Sequence, residues 1–236
     1  KNRPTQERFV PTAFDQSLKE AGISKDDVSY VISTGYGRSQ VTFRDVQVTD
    51  MTAHARGAIF SFPWTRTVLD VGGQTMKAIR LTDQGKVHSF RLNDKCAAGT
   101  GAFLEKTARY LGYKTEEIGV LAATSKTTVP ISGVCAVFAE SEVINHVSNG
   151  SAPADIMFGA IVSLVERSVQ LMKRVQMEPE FTLVGGILRF PSMVKEMREK
   201  LKSEVNVPEG EMVQFNGAVG AAILGHRRLA KLNQRS

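Results

Sequence analysis

Cysteine is scarce in this chain, because its 236 residues include only two, Cys96 and Cys135. Two cysteines do not make a disulfide framework, and so low a count fits the reducing environment of the cytosol. A cysteine without further context is most often a small buried hydrophobe. We therefore expect a cytoplasmic protein in which any other role for these cysteines depends on the residues around them.

Long apolar runs are also lacking, and so is any alternation of aromatic and basic residues. The chain has no run of about 18 apolar residues, which excludes a membrane-spanning helix. The net charge is +6, but only the segment from His226 to Arg235 is a basic cluster, and cations at a helix C-terminus complement the helix dipole. We expect no nucleic-acid or membrane partner; an acidic protein or an anionic substrate such as a CoA thioester suits the charge better.

Strand and helix patterns alternate along the chain, which predicts the α/β class. Residues 67–92 read as a meander of antiparallel strands with an acid and two glycines at the first bend, and further strands are expected over 28–32 and 181–186. Helices are expected over 12–21, after Gly101, and over 154–175, which is the longest. Another helix is expected to begin at Ser192 as its N-cap. The final helix is expected from Gly217, after a turn at Asn216, and its small residues permit close packing.

Three predicted turns carry glycines where a backbone can approach a phosphate closely. In Asp70-Val71-Gly72-Gly73-Gln74 the carboxylate stands at a strand end, where it can hold Mg²⁺ or orient water. Gly99-Thr100-Gly101 precedes a helix whose N-terminus offers amides to an anion, and Gly185-Gly186 lets a base or ribose lie against the backbone. Each turn alone also has a packing explanation, but three in one chain predict a nucleotide site. The candidates are Asp70 and Gln74 for catalysis, and Gly72, Gly73, Gly99, Thr100, Gly101, Glu105, Gly185 and Gly186 for binding.

The two cysteines have similar settings. Cys96 precedes the Gly99-Thr100-Gly101 turn, and Cys135 precedes a second segment that is predicted to be helical. Such a turn can serve a metal cluster as well as a phosphate, so coupling of nucleotide state to iron–sulfur chemistry is the leading hypothesis. His54 and His88 have no partner at metal-ligand spacing, and we interpret them as structural or surface residues.

These motifs resemble the ATPase/activator family, which comprises activators of 2-hydroxyacyl-CoA dehydratases and the ATP-hydrolysing subunits of ATP-dependent benzoyl-CoA reductase. The resemblance is carried by the segments 70–74, 93–105, 135–144 and 184–186, and it covers the chain from about Pro11 to Lys231. The segment 93–105 with its distant second cysteine is the most specific part, because generic sugar kinases of the same actin-like superfamily lack it.

The resemblance implies a two-lobed actin/hexokinase-like (ribonuclease H-like) fold with ATP and Mg²⁺ in the cleft. The first lobe would comprise 1–66 plus 218–236, and the second 67–217. Two such subunits, as a homo- or heterodimer, would share one 4Fe–4S cluster, with Cys96 and Cys135 at the ligand positions. ATP hydrolysis would change the surroundings of the cluster and drive electrons from reduced ferredoxin to the catalytic subunits of a reductase or dehydratase.

The chain also departs from the family pattern, because it begins after the place of the N-terminal phosphate-loop hairpin. The start at Lys1-Asn2-Arg3-Pro4 resembles neither a signal peptide nor a natural start, so we expect a truncated chain or a defective nucleotide site. Segments 51–58, 108–113 and 144–146 are more similar to benzoyl-CoA reductase subunits than to dehydratase activators. The alternatives are a dehydratase activator, a small-molecule kinase of the actin-like superfamily and a non-catalytic subunit.

Overall fold

The N-terminal part of the fold combines helices with one pair of short strands. The computed structural model describes residues 6–94, 99–132 and 136–234. Its first elements are helix α1 (Gln6–Ala21), the parallel strands β1 (Ile32–Ser33) and β2 (Val46–Gln47), and helix α2 (Asp50–Ser61). The strand expected over 28–32 is therefore wrong in extent. The amide of Val31 donates to the side chain of Asp45 at 2.6 Å instead of to a neighbouring strand.

A five-stranded sheet forms the centre of the molecule. Its strands are β3 (Thr67–Val71), β4 (Met76–Leu81), β5 (Val87–Asn93), β6 (Phe181–Val184) and β7 (Val205–Asn206), in the order β5-β4-β3-β6-β7. The expected antiparallel meander is confirmed, and β6 and β7 extend it in parallel to β3. Every residue of β3 is buried, as is usual for a strand covered on both faces.

Helices enclose the hydrophobic core on this sheet. They are α3 (Gly101–Tyr110), α4 (Ile118–Ala123), α5 (Ala136–Ser148), α6 (Pro153–Lys173), α7 (Pro191–Leu201) and α8 (Met212–Asn233). The inward face expected for α6 is confirmed, because Ile161, Leu164, Val165, Val169 and Met172 are all buried. The α/β class is confirmed as well, whereas the division into two lobes stays a prediction.

Three helix starts and one helix length differ from expectation. Helix α1 begins at Gln6, six residues before the expected start at Thr12, and Pro11 lies inside it. Helix α8, with 22 residues, exceeds α6 by one residue and begins at Met212, so Asn216 and Gly217 lie inside it and form no turn. Helix α7 begins at Pro191, where the missing amide hydrogen costs nothing, and Ser192 is therefore not the N-cap.

Small residues let α8 pack closely on α2. A Cβ atom added at Gly220 would lie 1.8 Å from the carbonyl oxygen of Ala53, and one at Gly57 would lie 2.2 Å from that of Asn216. Through this contact α2 and α8 form one unit beside β3 and β6. In the part of the chain that the structure describes, no helix has both the length and the apolar character needed to cross a bilayer.

Candidate active site

The first two glycine turns meet at the end of β3. The amide of Gly101 donates to the carbonyl of Gly72 at 2.9 Å, and the amide of Ala102 donates to that of Gly73 at 2.8 Å. A Cβ at Gly101 would lie 3.1 Å from the Cα of Gly73 and 2.5 Å from the side chain of Ile187. The start of α3 is thus fixed against the β3–β4 turn at a distance that only glycine permits.

The third glycine turn adjoins the same place because β6 runs parallel to β3. Gly185 has φ +99° and ψ 153°, a conformation that is essentially restricted to glycine. A Cβ there would lie 2.4 Å from the carbonyl oxygen of Val71 and 2.6 Å from Oδ1 of Asp70. All three turns that the sequence singles out therefore converge on the carboxyl end of β3, where Asp70 lies.

A cavity of about 620 Å³ opens beside the glycines. It is lined by Gly73, Thr115, Glu116, Gly119, Val120, Ala123, Gly186, Ile187, Arg189, Phe190 and Pro191. Its size lies within the range of small-molecule sites, and apolar walls with a few polar groups are typical of them. The glycine amides at one end and the apolar walls beyond them suit a ligand with phosphates at one end and a planar base at the other.

A buried lysine links two carboxylates at this site. The ammonium of Lys77 lies 2.7 Å from Oδ2 of Asp70 and 3.1 Å from Oδ2 of Asp50, and it also donates to Thr75 at 2.8 Å. Burial disfavours the charged form, but the attraction and hydrogen bonds of the two carboxylates outweigh it and raise the pKa of Lys77. The lysine thus holds Asp50, at the start of α2, next to Asp70 on β3.

His54 and Asn216 extend this group into α2 and α8. Nε2 of His54 lies 3.5 Å from Oδ2 of Asp70, and the histidine side chain is only 12% exposed. The amide nitrogen of Asn216 lies 3.2 Å from Nδ1 of His54 and donates to its backbone carbonyl at 3.0 Å. His54 is therefore a partly buried residue that faces the carboxylate of Asp70, and its interpretation as a structural or surface residue missed this contact.

Asp50, His54, Lys77 and Asn216 are the site residues that the sequence analysis did not identify. Only Lys77 had a local signal. A hairpin that turns between Gly73 and Gln74 pairs residue 70 with residue 77, and the structure has this register. Asp50, His54 and Asn216 come from helices distant in sequence, so no spacing reveals them.

The other sequence candidates occupy different positions around the site. Thr100 is buried and Gly99 packs against Asn93 and Met76. Gln74 is exposed in the β3–β4 turn, and Glu105 lies on the exposed face of α3, where it accepts from Arg109 at 3.0 Å. Cys96 and Cys135 lie outside the described residues. The roles assigned to all of these residues stay predictions.

Comparison with known proteins identifies close relatives. The model of the BadF/BadG/BcrA/BcrD ATPase family matches residues 1–225. The chain is 40% identical over 219 residues to the activator of lactoyl-CoA dehydratase of Anaerotignum propionicum, over 93% of this chain and 84% of the relative. It is 37% identical over 238 residues to a subunit of the benzoyl-CoA reductase of Thauera aromatica, over 97% of this chain and 83% of the relative.

One solved structure has the same fold over nearly the whole chain. The activator of the 2-hydroxyisocaproyl-CoA dehydratase from Clostridium difficile, with bound ADPNP, has a TM-score of 0.90 and 35% identity, over 96% of this chain and 84% of that chain. These matches confirm the family resemblance and the actin-like fold class expected from the sequence.

Proposed function

Because the chain belongs to the BadF/BadG/BcrA/BcrD ATPase family, we propose that it hydrolyses ATP at the site around Asp70 and uses the energy to drive electrons into a partner enzyme. The convergence of three glycine turns on a buried carboxylate, beside a cavity of about 620 Å³, carries the proposal. The similar dehydratase activator with bound ADPNP supports ATP as the ligand.

In this proposal ATP occupies two parts of the site. The phosphates would lie against Gly72-Gly73 and Gly185-Gly186, where the absence of side chains lets the backbone approach, and the base would enter the cavity. Mg²⁺ usually keeps several waters and binds through one or two carboxylates plus phosphate oxygens. Asp70 and Asp50 fit this requirement, because their carboxylates lie close together: both are within 3.1 Å of the ammonium group of Lys77.

The side chains at the end of β3 would position the attacking water. Asp70 is held by Lys77 at 2.7 Å, so its carboxylate has a fixed place from which to orient a water towards the terminal phosphate. Gln74 in the adjacent turn and Glu105 on α3 remain candidates for contact with this water and with the nucleotide. Hydrolysis of the phosphoanhydride of ATP bound at this site would drive a change in the conformation of the protein.

The proposed electron carrier is a 4Fe–4S cluster held by Cys96 and Cys135 of this chain and the same pair from a second subunit. A cubane cluster takes four thiolates, and two per chain require a dimer. Helices α3 and α5, which follow the two cysteines in the chain, lie side by side: Lys106 donates to Glu140 at 2.5 Å.

Two acyl-CoA enzymes are candidates for the partner that receives the electrons. The lactoyl-CoA dehydratase activator is 40% identical and favours a 2-hydroxyacyl-CoA dehydratase. The match to the benzoyl-CoA reductase of Thauera aromatica covers 97% of the chain and favours the reductive dearomatisation that the sequence analysis expected. In both cases reduced ferredoxin is the proposed electron donor, and the chemistry on the acyl-CoA belongs to the partner.

Anaerobic purification, followed by cluster and activity measurements, tests this function. The protein is purified without oxygen beside Cys96→Ser and Cys135→Ser, and iron, sulfide and ATPase activity are measured. We expect about four irons per dimer, lost in both variants. ATP-dependent reduction of a purified dehydratase or benzoyl-CoA reductase then identifies the partner. Iron-free wild-type protein, or ATP consumed to phosphorylate a small molecule, would overturn the proposal.

A further inference from the structure

We infer that Asn216 and His54 are positioning residues for Asp70: the amide of Asn216 fixes the tautomer of His54 that directs Nε2–H towards the carboxylate. The inference rests on the proposed function, because it assigns these residues a part in ATP hydrolysis. It also makes the last helix, α8, a contributor to the site at the end of β3.

The orientation of the Asn216 amide follows from its partner on the backbone. The side-chain nitrogen lies 3.0 Å from the carbonyl oxygen of His54. That oxygen only accepts hydrogen bonds, so the group that faces it must be the NH₂ end of the amide. The second contact of the same nitrogen, to the histidine ring, therefore also comes from a donor.

The tautomer of His54 follows from this orientation. The Asn216 nitrogen lies 3.2 Å from Nδ1 of His54. An amide NH₂ donates and does not accept, so Nδ1 must be the unprotonated nitrogen of a neutral ring. The proton then lies on Nε2. The carboxylate of Asp70 is the group that Nε2 faces, at 3.5 Å from Oδ2.

The two oxygens of Asp70 acquire different roles from this arrangement. Oδ2 is the oxygen that Lys77 contacts at 2.7 Å and that His54 faces. Oδ1 lies on the side of Gly185, where a Cβ would be 2.6 Å away. Holding Oδ2 from two directions leaves Oδ1 directed at the glycine turn and at the proposed phosphate position. A separation of 3.5 Å is long for a hydrogen bond. Catalytic hydrogen bonds are often this long without substrate and shorten in the Michaelis complex.

The packing of α2 against α8 restricts rotation of the ring. A Cβ at Gly217 would lie 3.2 Å from Cε1 of His54, so the glycine gives the ring its place against α8. Asn216 itself is only 3% exposed. Any shift of α8 along α2 would therefore move the amide, the ring and the constraint on Asp70 together.

Histidine NMR tests the tautomer without relying on activity. Long-range ¹⁵N–¹H spectra of the wild-type protein, with His54→Gln for assignment, should show a neutral His54 protonated at Nε2. Asn216→Asp presents an acceptor instead of a donor to Nδ1, and should move the proton to Nδ1 or give a doubly protonated ring. An Nδ1–H tautomer in the wild-type protein would overturn the inference.

Steady-state ATPase measurements test the positioning role. His54→Leu should lower kcat by about 10- to 100-fold, the usual effect of removing a partner of a site residue, with a much smaller change in the KM for ATP. His54→Gln keeps an amide N–H donor and should recover most of the rate. His88→Gln, on an exposed histidine of β5, is the matched control and should behave as wild type.

The outcomes distinguish this inference from the proposed function. Wild-type kcat in His54→Leu would overturn the positioning role while ATP hydrolysis stands. A wild-type protein with the Nε2–H tautomer but no ATPase activity would overturn the proposed function, and the catalytic part of the inference with it.

Discussion

Replacing Gly185 by alanine tests whether the third glycine turn is built for close approach to Asp70. The added Cβ would lie 2.4 Å from the carbonyl oxygen of Val71 and 2.6 Å from Oδ1 of Asp70. Backbone and a held carboxylate stand there, and neither is the far end of a flexible side chain. The substitution therefore changes both the stability of the β3–β6 contact and the position of the site acid.

Two costs contribute to the expected loss of stability. At φ +99° and ψ 153°, a side chain costs about 1–3 kcal/mol in backbone strain. Displacing packed neighbours by an extra carbon typically costs about 1–3 kcal/mol more. Together they predict a fall of about 2–6 kcal/mol in the free energy of unfolding, a large fraction of the roughly 5–15 kcal/mol of a typical domain.

Gly186→Ala is the matched control, because a Cβ at that neighbouring position would meet only the side-chain oxygen of Gln214, at 3.9 Å. Urea unfolding followed by circular dichroism should show a lower midpoint for Gly185→Ala and a nearly unchanged one for Gly186→Ala. ADPNP affinity, measured by calorimetry, should fall strongly in Gly185→Ala. Equal midpoints for the two variants would refute the reasoning.

Three further substitutions test other contacts. Lys77→Met leaves the buried carboxylate of Asp70 and the partly buried one of Asp50 without their shared cation, and should lower the free energy of unfolding in urea by about 3–5 kcal/mol. Added Mg²⁺ should restore part of this stability, and an unchanged midpoint would contradict a stabilising role for the two ion pairs. Gly220→Ala should lower the melting temperature because it separates α2 from α8. Gly225→Ala is the control and should be neutral or stabilising, because its added Cβ would make only an ordinary van der Waals contact, 3.5 Å from the side chain of Ile32. Backbone hydrogen bonds, led by that from Thr127, lower the pKa of Asp155. This stability is complete above the ordinary value of 3.8 and is lost as pH falls towards the folded value, so Asp155→Asn should flatten that part of the acid-unfolding curve; an unaltered curve would refute it.

Local patterns predicted the elements that depend on near neighbours. The meander over 67–92 follows from alternating residues and compact turns, and its register, centred between Gly73 and Gln74, also places Lys77 opposite Asp70. The glycine turns were recognisable because each follows a strand or precedes a helix. From the sequence we could note only that there are three such turns, and not that they meet. The parallel pairing of β6 with β3 brings the third turn to the other two.

Contacts between distant elements could not be predicted from spacing. His54 and Asn216 are 162 positions apart, and only the packing of α2 on α8 brings them together. The start of α8 was misplaced because Asn216-Gly217 has the composition of a turn. In the folded chain Gly217 is helical, and a Cβ there would lie 3.2 Å from the His54 ring. The iron–sulfur role of Cys96 and Cys135 rests on the family resemblance and stays a prediction.

A crystal structure of the protein with ADPNP and Mg²⁺ tests the central claim most directly. The account predicts that the phosphates lie against Gly72-Gly73 and Gly185-Gly186, with Mg²⁺ near Asp70 and the base in the cavity beside Phe190. An analogue bound elsewhere, or phosphates directed away from Asp70 in the same cavity, would contradict it.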